Sequence, residues 1–286
     1  MTSEAETDLI AAFDASLKKE SPVKEPEHEK EFSELAPLAS RLRPESLDEY
    51  IGQTHLIGKG RPLRQALERG QCYSMILWGP PGVGKTTLAL IFAKACNAIF
   101  EQLSAVTSGI KDIRDAVERA ERRRKQGIRT LLFVDEVHRF NKTQQDAFLP
   151  HIESGTITFI GATTENPSFS LNSALLSRAR VYVLKKLSED ETRALLRQAL
   201  SSEKGLGREN LSIDERAEAA LVELADGDAR HLLNMLEMLS DLAAVLPDGR
   251  RVITFAMVGS VAGRKLINYD KGGDAYYELI SAFHKS

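Results

Sequence analysis

The chain has 286 residues and a mass of 31.6 kDa, 42% hydrophobic and 28% charged, enough for one large domain or a medium domain with a small companion. Its longest apolar runs, 75–78 and 131–134, are too short to cross a bilayer, and no charged start followed by an apolar stretch marks a secretory signal. Cys72 and Cys96 have no paired spacing, which argues against a disulfide framework or a zinc site and reads as two reduced thiols of a cytosolic protein.

The net charge of −3 is unevenly spread. Residues 1–36 carry four lysines against ten acids, a net of −6, and the Pro/Glu/Lys-rich stretch 22–34 cannot bury enough surface to repay its ordering. This segment reads as a flexible acidic arm, with a short amphipathic helix over 8–19 built on Leu9, Ile10, Phe13 and Leu17.

The run 73–78 reads as a buried strand. It leads into Gly79-Pro80-Pro81-Gly82-Val83-Gly84-Lys85-Thr86, which fits G-x-x-x-x-G-K-[ST] at every position, and Thr87 continues the set. A helix over 86–97 follows. Glycines let backbone N–H groups turn toward phosphate oxygens, and the helix N-terminus adds its positive end. In such a loop Lys85 reaches the β- and γ-phosphates and the Thr86 hydroxyl ligates Mg²⁺. Strand, loop and helix together predict a P-loop nucleoside-triphosphate site that takes Mg²⁺.

A second strand is expected over 99–103, then a helix with Ile110, Ile113, Val117 and Ala120 on its apolar face. That helix ends in Arg119, Arg122, Arg123, Arg124 and Lys125, with Arg129 beyond. Cations suit a helix C-terminus, so the cluster reads as a solvated helix end, with DNA contact as the alternative. The apolar run 130–134 predicts a parallel strand buried on both faces that delivers Asp135 and Glu136. Asp135 is placed to hold Mg²⁺ and Glu136 to polarise water, provided the chain turns past the strand's end. His138, which completes Asp-Glu-Val-His, reads as a hydrogen-bonded surface histidine without a catalytic role.

Another buried strand over 157–161 ends in Ala162-Thr163-Thr164-Glu165-Asn166-Pro167, and a further one is expected over 181–184. A hydroxyl at the tip of the former can reach the γ-phosphate or the lytic water. Five strands alternating with helices predict an α/β domain with a mostly parallel five-stranded sheet. After Leu184 the rhythm becomes helical: 188–202 opens with a Ser188–Glu191 capping box, followed by 214–225 and 229–246. These helices, with no strand, predict a small α-helical second domain.

The P-loop, Asp135-Glu136, the 161–167 stretch, Leu175-Leu176-Ser177-Arg178 and Gly227-Asp228-Ala229-Arg230 resemble the AAA+ ATPases of the clamp-loader branch. Within that branch, Thr164-Glu165-Asn166-Pro167-Ser168-Phe169 and Tyr269-Asp270-Lys271-Gly272-Gly273-Asp274 are similar to the family of replication-associated recombination protein A and Werner helicase-interacting protein. The resemblance implies a sensor at Thr164, with Thr163 the alternative. It also implies an arginine finger at Arg178, which spacing does not separate from Arg180, and a γ-phosphate-sensing Arg230 in the lid. Pro44, Tyr50, Ile51 and Gly52 would line the adenine and ribose.

Past the acidic arm 1–36, whose length departs from the family pattern, the chain divides into a nucleotide-binding domain 37–186, a lid 187–263, and residues 264–286 as the start of an oligomerisation region that the resemblance implies continues further. Its implied function is a Mg²⁺-ATP-dependent homo-oligomer at replication forks in the bacterial cytoplasm and nucleoid, with no membrane partner. The implied partners are DNA ends or single-strand/duplex junctions, and repair proteins such as a single-strand-binding protein. A clamp-loader or Holliday-junction motor subunit is the rival within the class, and a non-hydrolysing ATP-binding scaffold the rival outside it.

Overall fold

Alternating apolar side chains explain why the strands stack as they do. In the computed structural model, which describes residues 36–247 and 249–262, Met75 and Leu77 of β1 (Met75–Trp78) face one side of the sheet and Ile76 faces the other. The same split puts Leu131 and Phe133 of β3 (Arg129–Asp135) on the first face and Leu132 and Val134 on the second. Both faces are therefore covered, as an all-parallel sheet requires.

Before the sheet come three short helices, α1 (Leu38–Arg41), α2 (Thr54–Ile57) and α3 (Pro62–Glu68). After β1, α4 (Lys85–Ala95) lays Leu88, Ala89 and Phe92 on the first face. Then β2 (Ala98–Ser104) leads to α5 (Ile110–Lys125), whose Ile113, Ala116 and Ala120 cover the second face beside Phe148 and Phe159. Past β3, a 3₁₀ turn (Val137–Arg139) and the short helices α6 (Lys142–Asp146) and α7 (Leu149–Glu153) precede β4 (Thr158–Thr163). The turns α8 (Pro167–Ser170) and α9 (Ser173–Leu176) return the chain to β5 (Arg180–Val183).

Among the described residues these five strands form one sheet in the order β2-β3-β4-β1-β5, parallel throughout. The fold is α/β, as the sequence predicts. The order sets β3, β4 and β1 side by side, with Trp78 opposite Thr163 and Val134 opposite Gly161. Their C-terminal ends therefore open on one crevice.

Beyond Leu187 the chain builds a separate apolar cluster from α10 (Glu189–Ser201), α11 (Glu215–Ala225) and α12 (Ala229–Leu242), joined by Leu38 and Leu42. Ser188 and Glu191 close the expected capping box, with Ser188 N–H donating to Glu191 Oε2 at 2.8 Å and Glu191 N–H to Ser188 Oγ at 3.2 Å. Asp214 caps α11 by accepting from Ala217 N–H at 2.7 Å. The helix expected to run to Leu246 stops at Leu242, where Ala243 leaves helical geometry.

The expectation of a strand-free second part is corrected. β6 (Leu211–Ile213) and β7 (Arg251–Ile253) pair in parallel, with Ile253 fully buried, and α13 (Phe255–Ala262) packs on α11 and α12. Three residues are too few for an alternation to register in a sequence.

A second correction concerns the cysteines. Cys72, ahead of β1, and Cys96, closing α4, meet with Cα atoms 5.8 Å apart, within disulfide range. Helix α4 carries the second thiol back to where β1 begins, a proximity that a separation of 24 residues conceals. Among the described residues no helix is long and apolar enough to cross a membrane. The acidic arm, its helix over 8–19 and the 264–286 region with Tyr269–Asp274 motif lie outside the described residues.

Candidate nucleotide site

The loop between β1 and α4 is shaped by glycines that no other residue replaces cheaply. Gly82 and Gly84 adopt left-handed φ angles of +66° and +92°. Each also admits a neighbour: a Cβ on Gly82 would lie 1.7 Å from Asp228 Oδ1, and one on Gly84 2.2 Å from the Tyr50 hydroxyl. The loop is thus held from two sides. The Tyr50 hydroxyl, buried, reaches the carbonyls of Val83 and Gly84 at 3.2 and 3.1 Å, and burial pushes its phenol well above the usual range. From the other side, Ala229 N–H donates to the Gly82 carbonyl at 3.1 Å.

Lys85 opens α4 with its ammonium on the carbonyls of Gly79 and Pro80, at 2.7 and 2.8 Å. Burial lowers its pKa from the ordinary lysine value; Glu136 and Asp135 pull it back up, and Arg230 lowers it further. Those four charges therefore share one electrostatic neighbourhood. Thr86 and Thr87 are half-buried in the first turn of the same helix.

At the end of β3, Glu136 takes a left-handed conformation with φ 50° and ψ 47°, rare outside glycine and asparagine. The turn that the sequence reading required past this strand is made by that residue. Its N–H donates to Asp135 Oδ1 at 3.1 Å. At the tip of β4 the two threonines divide: Thr163 is fully buried, whereas exposed Thr164 donates its hydroxyl to Glu136 Oε2 at 3.3 Å.

His138 corrects the sequence reading. It is not a surface residue: its side chain is 4% exposed and sits among Thr163, Glu136 and Glu165. The sequence held one signal for it, its place three residues after Asp135, but burial is a property of the 3₁₀ turn that no periodicity reports.

Gly52, with φ +91°, lies against Leu187 and Glu191, and Ile51 packs on the helical cluster; Pro44 is half-buried nearby in sequence. Sequence reasoning passed over Gln53, which is 4% exposed. Its Nε2 donates to the Lys185 carbonyl at 2.6 Å and its Oε1 accepts from Lys185 N–H at 2.9 Å, tying this loop to the chain leaving β5.

Arg178 donates through Nε to Glu153 Oε1 at 2.6 Å and through a terminal nitrogen to the Ala174 carbonyl at 2.8 Å. Arg180 stacks over the Tyr73 ring at 4.5 Å. Part of the basic cluster is engaged locally: Arg119 and Arg123 both pair with Glu101 of β2, and Arg124 donates to Thr156 Oγ1 at 3.0 Å.

A divalent cation is compatible with this chemistry. Among the described residues no group of three or more His, Cys, Asp or Glu could cage a metal. Thr86 and Asp135 are oxygen donors of the kind that hold Mg²⁺ together with substrate phosphates.

The family described as ATPase family associated with various cellular activities (AAA) matches residues 75–187, and that described as AAA C-terminal domain matches 207–286. Replication-associated recombination protein A of Escherichia coli K12 is 57% identical over 251 residues, covering 87% of this chain and 56% of that protein. ATPase WRNIP1 of Dictyostelium discoideum is 43% identical over 269 residues, covering 88% of this chain and 30% of that protein. The solved RuvB Holliday junction branch migration motor of Thermotoga maritima superposes with a TM-score of 0.62 at 25% identity, covering 86% of each chain. The chain thus spans 56% of the length of the Escherichia coli relative, and less of WRNIP1. With both family matches, these relatives and the β2-β3-β4-β1-β5 sheet, the chain belongs to the AAA+ ATPases, in the family of replication-associated recombination protein A and WRNIP1.

Proposed function

We propose that this chain binds ATP in the crevice at the ends of β1, β3 and β4 and hydrolyses it. The observation that carries the reading is the convergence of Asp135, Glu136 and Arg230 on Lys85, whose ammonium each of them influences, with Thr164 on the Glu136 carboxylate. The loop amides of 79–86 and Lys85 bind phosphate oxygens, and Tyr50, Ile51, Gly52 and Pro44 hold the base and ribose. Glu136 takes a proton from the attacking water, and Thr164 orients that carboxylate or senses the γ-phosphate. Thr86 and Asp135 would hold Mg²⁺, which when bound neutralises charge on the phosphates.

Residues 187–263 act as the lid in this reading. Asp228 and Ala229 seat the start of α12 on the phosphate loop, which keeps Arg230 close enough to respond to a γ-phosphate. Arg178 supplies the finger for a neighbouring copy, and hydrolysis drives remodelling of DNA ends or of replication proteins at forks.

The likeness to the RuvB branch-migration motor favours a second reading, a motor on four-way junctions. Measuring ATPase rates with single-stranded, blunt-duplex, forked and four-way-junction DNA separates the two. Stimulation by ends or forks supports the first, junction preference supports the second, and no DNA response overturns both.

A further inference from the structure

The groups around His138 favour one ring nitrogen as the donor. The Thr163 hydroxyl donates to the Glu165 carbonyl at 3.3 Å and accepts from Glu165 N–H at 3.1 Å. Thr163 Oγ1 also meets His138 Nδ1 at 2.9 Å, and because the carboxylate beside that nitrogen can only accept, the ring donates there. The same Nδ1 lies 3.2 Å from Glu136 Oε2, while Nε2 lies 3.5 Å from Glu165 Oε1. The Nδ1–H is therefore shared between a hydroxyl and the carboxylate of Glu136.

We propose that His138 is a positioning residue for the reaction: it orients the Glu136 carboxylate by donating Nδ1–H to Oε2. This rests on the reading of Glu136 as the base that polarises water. Thr164 and His138 both engage Oε2, which leaves Oε1 as the oxygen that accepts from the water. The left-handed backbone of Glu136 turns the side chain toward the crevice, and the buried imidazole, held on Thr163, stops it from swinging back. Thr163 also anchors the start of the 163–166 turn, so the orientation of the base is tied to the tip of β4. A carboxylate free to rotate would spend much of its time off the line of attack.

The test compares His138→Ala, His138→Asn and His138→Gln with Glu136→Gln, measuring kcat and nucleotide Kd at saturating protein concentration. An asparagine amide reaches the position of Nδ1, whereas a glutamine amide extends to that of Nε2. His138→Ala is expected to lower kcat about 10- to 100-fold with Kd within about twofold, and His138→Asn to recover most of the loss. His138→Gln should stay low, and His138→Ala should add nothing in a Glu136→Gln background. Asn and Gln variants with equal kcat, both folded by thermal melting, would overturn the proposal even if the alanine variant is unstable, as would a loss confined to Kd. An undiminished turnover in Glu136→Gln alone would instead remove the base reading on which this inference stands.

Discussion

Asp228, which caps α12, occupies the space that a side chain on Gly82 would need: a Cβ there would lie 1.7 Å from its Oδ1. The Asp228 carboxylate also accepts from His231 N–H at 2.9 Å, so it cannot withdraw without uncapping the helix that carries Arg230. The 79–86 loop and α12 are therefore matched at one glycine. Gly82→Ala should lower ATP affinity at least roughly tenfold, from the left-handed backbone cost plus displacement of Asp228. Adding Asp228→Ala should relieve the clash but not the backbone cost. Isothermal titration of both variants checks this; equal affinity of Gly82→Ala and the parent chain would refute it.

In the proposed reaction Glu136 serves turnover and not phosphate binding, since its carboxylate meets Thr164 and His138. Glu136→Gln should keep ATP affinity within about twofold while lowering kcat by about 10²–10⁴. Lys85→Ala should weaken both, because the ammonium serves ground state and transition state alike. Paired binding and single-turnover measurements distinguish the two patterns.

How much of this was legible depends on the range of each signal. The P-loop, the Asp135-Glu136 strand end and the Ser188–Glu191 cap are local patterns, and the structure keeps them where the sequence put them. The roles of Asp228 against Gly82 and of Gln53 on Lys185 depend on segments more than 130 residues apart in each case, and no spacing reports such contacts. The burial of His138 belongs to the same class. Its neighbours Thr163 and Glu165 arrive from another strand, so a motif of four residues could not distinguish a surface histidine from an interior one.

Tyr50 gives the fold an alkaline limit. Burial raises its folded pKa above the value of about 10 for a free phenol, so the folded chain holds a proton that the unfolded chain loses. The contribution is fully present below pH ~10 and falls away as pH climbs from there toward the folded pKa. Tyr50→Phe should be less stable at neutral pH by about 1 kcal/mol, through loss of the bonds to the Val83 and Gly84 carbonyls. It should also lose less stability than the parent between pH ~9 and ~11. Melting temperatures across that range test the sign, and parallel curves would exclude the effect.

The arginine-rich end of α5 is engaged with its own sheet, which sharpens the test for DNA contact. Arg123 pairs with Glu101, whose side chain is only 10% exposed, and removing it leaves that carboxylate to Arg119 alone. Replacing Arg122, Arg123 and Arg124 with serine should therefore lower the melting temperature and leave the slope of log affinity against log salt unchanged. A flatter slope in the triple variant would assign the cluster to phosphate contact after all.

Arg178 carries the prediction on assembly. Within one chain its guanidinium rests on Glu153 and on the end of its own short helix, at a partly exposed position on the connection from β4 to β5. If it completes a neighbour's site, ATPase activity per subunit must rise with protein concentration. The finger's charge stabilisation is worth about 10³–10⁵ in rate, so Arg178→Ala should bind ATP normally and turn it over slower by orders of magnitude. Glu153→Gln, which loosens the pair without touching the finger, should shift the concentration dependence but not the plateau. Mixing Arg178→Ala with Lys85→Ala should restore part of the activity, because some interfaces then join an intact phosphate loop to an intact arginine. Arg180, stacked on Tyr73, should give no such rescue when it is replaced instead. Constant specific activity at every concentration, with no recovery on mixing, would mean that Arg178 acts within its own chain or has no part in hydrolysis.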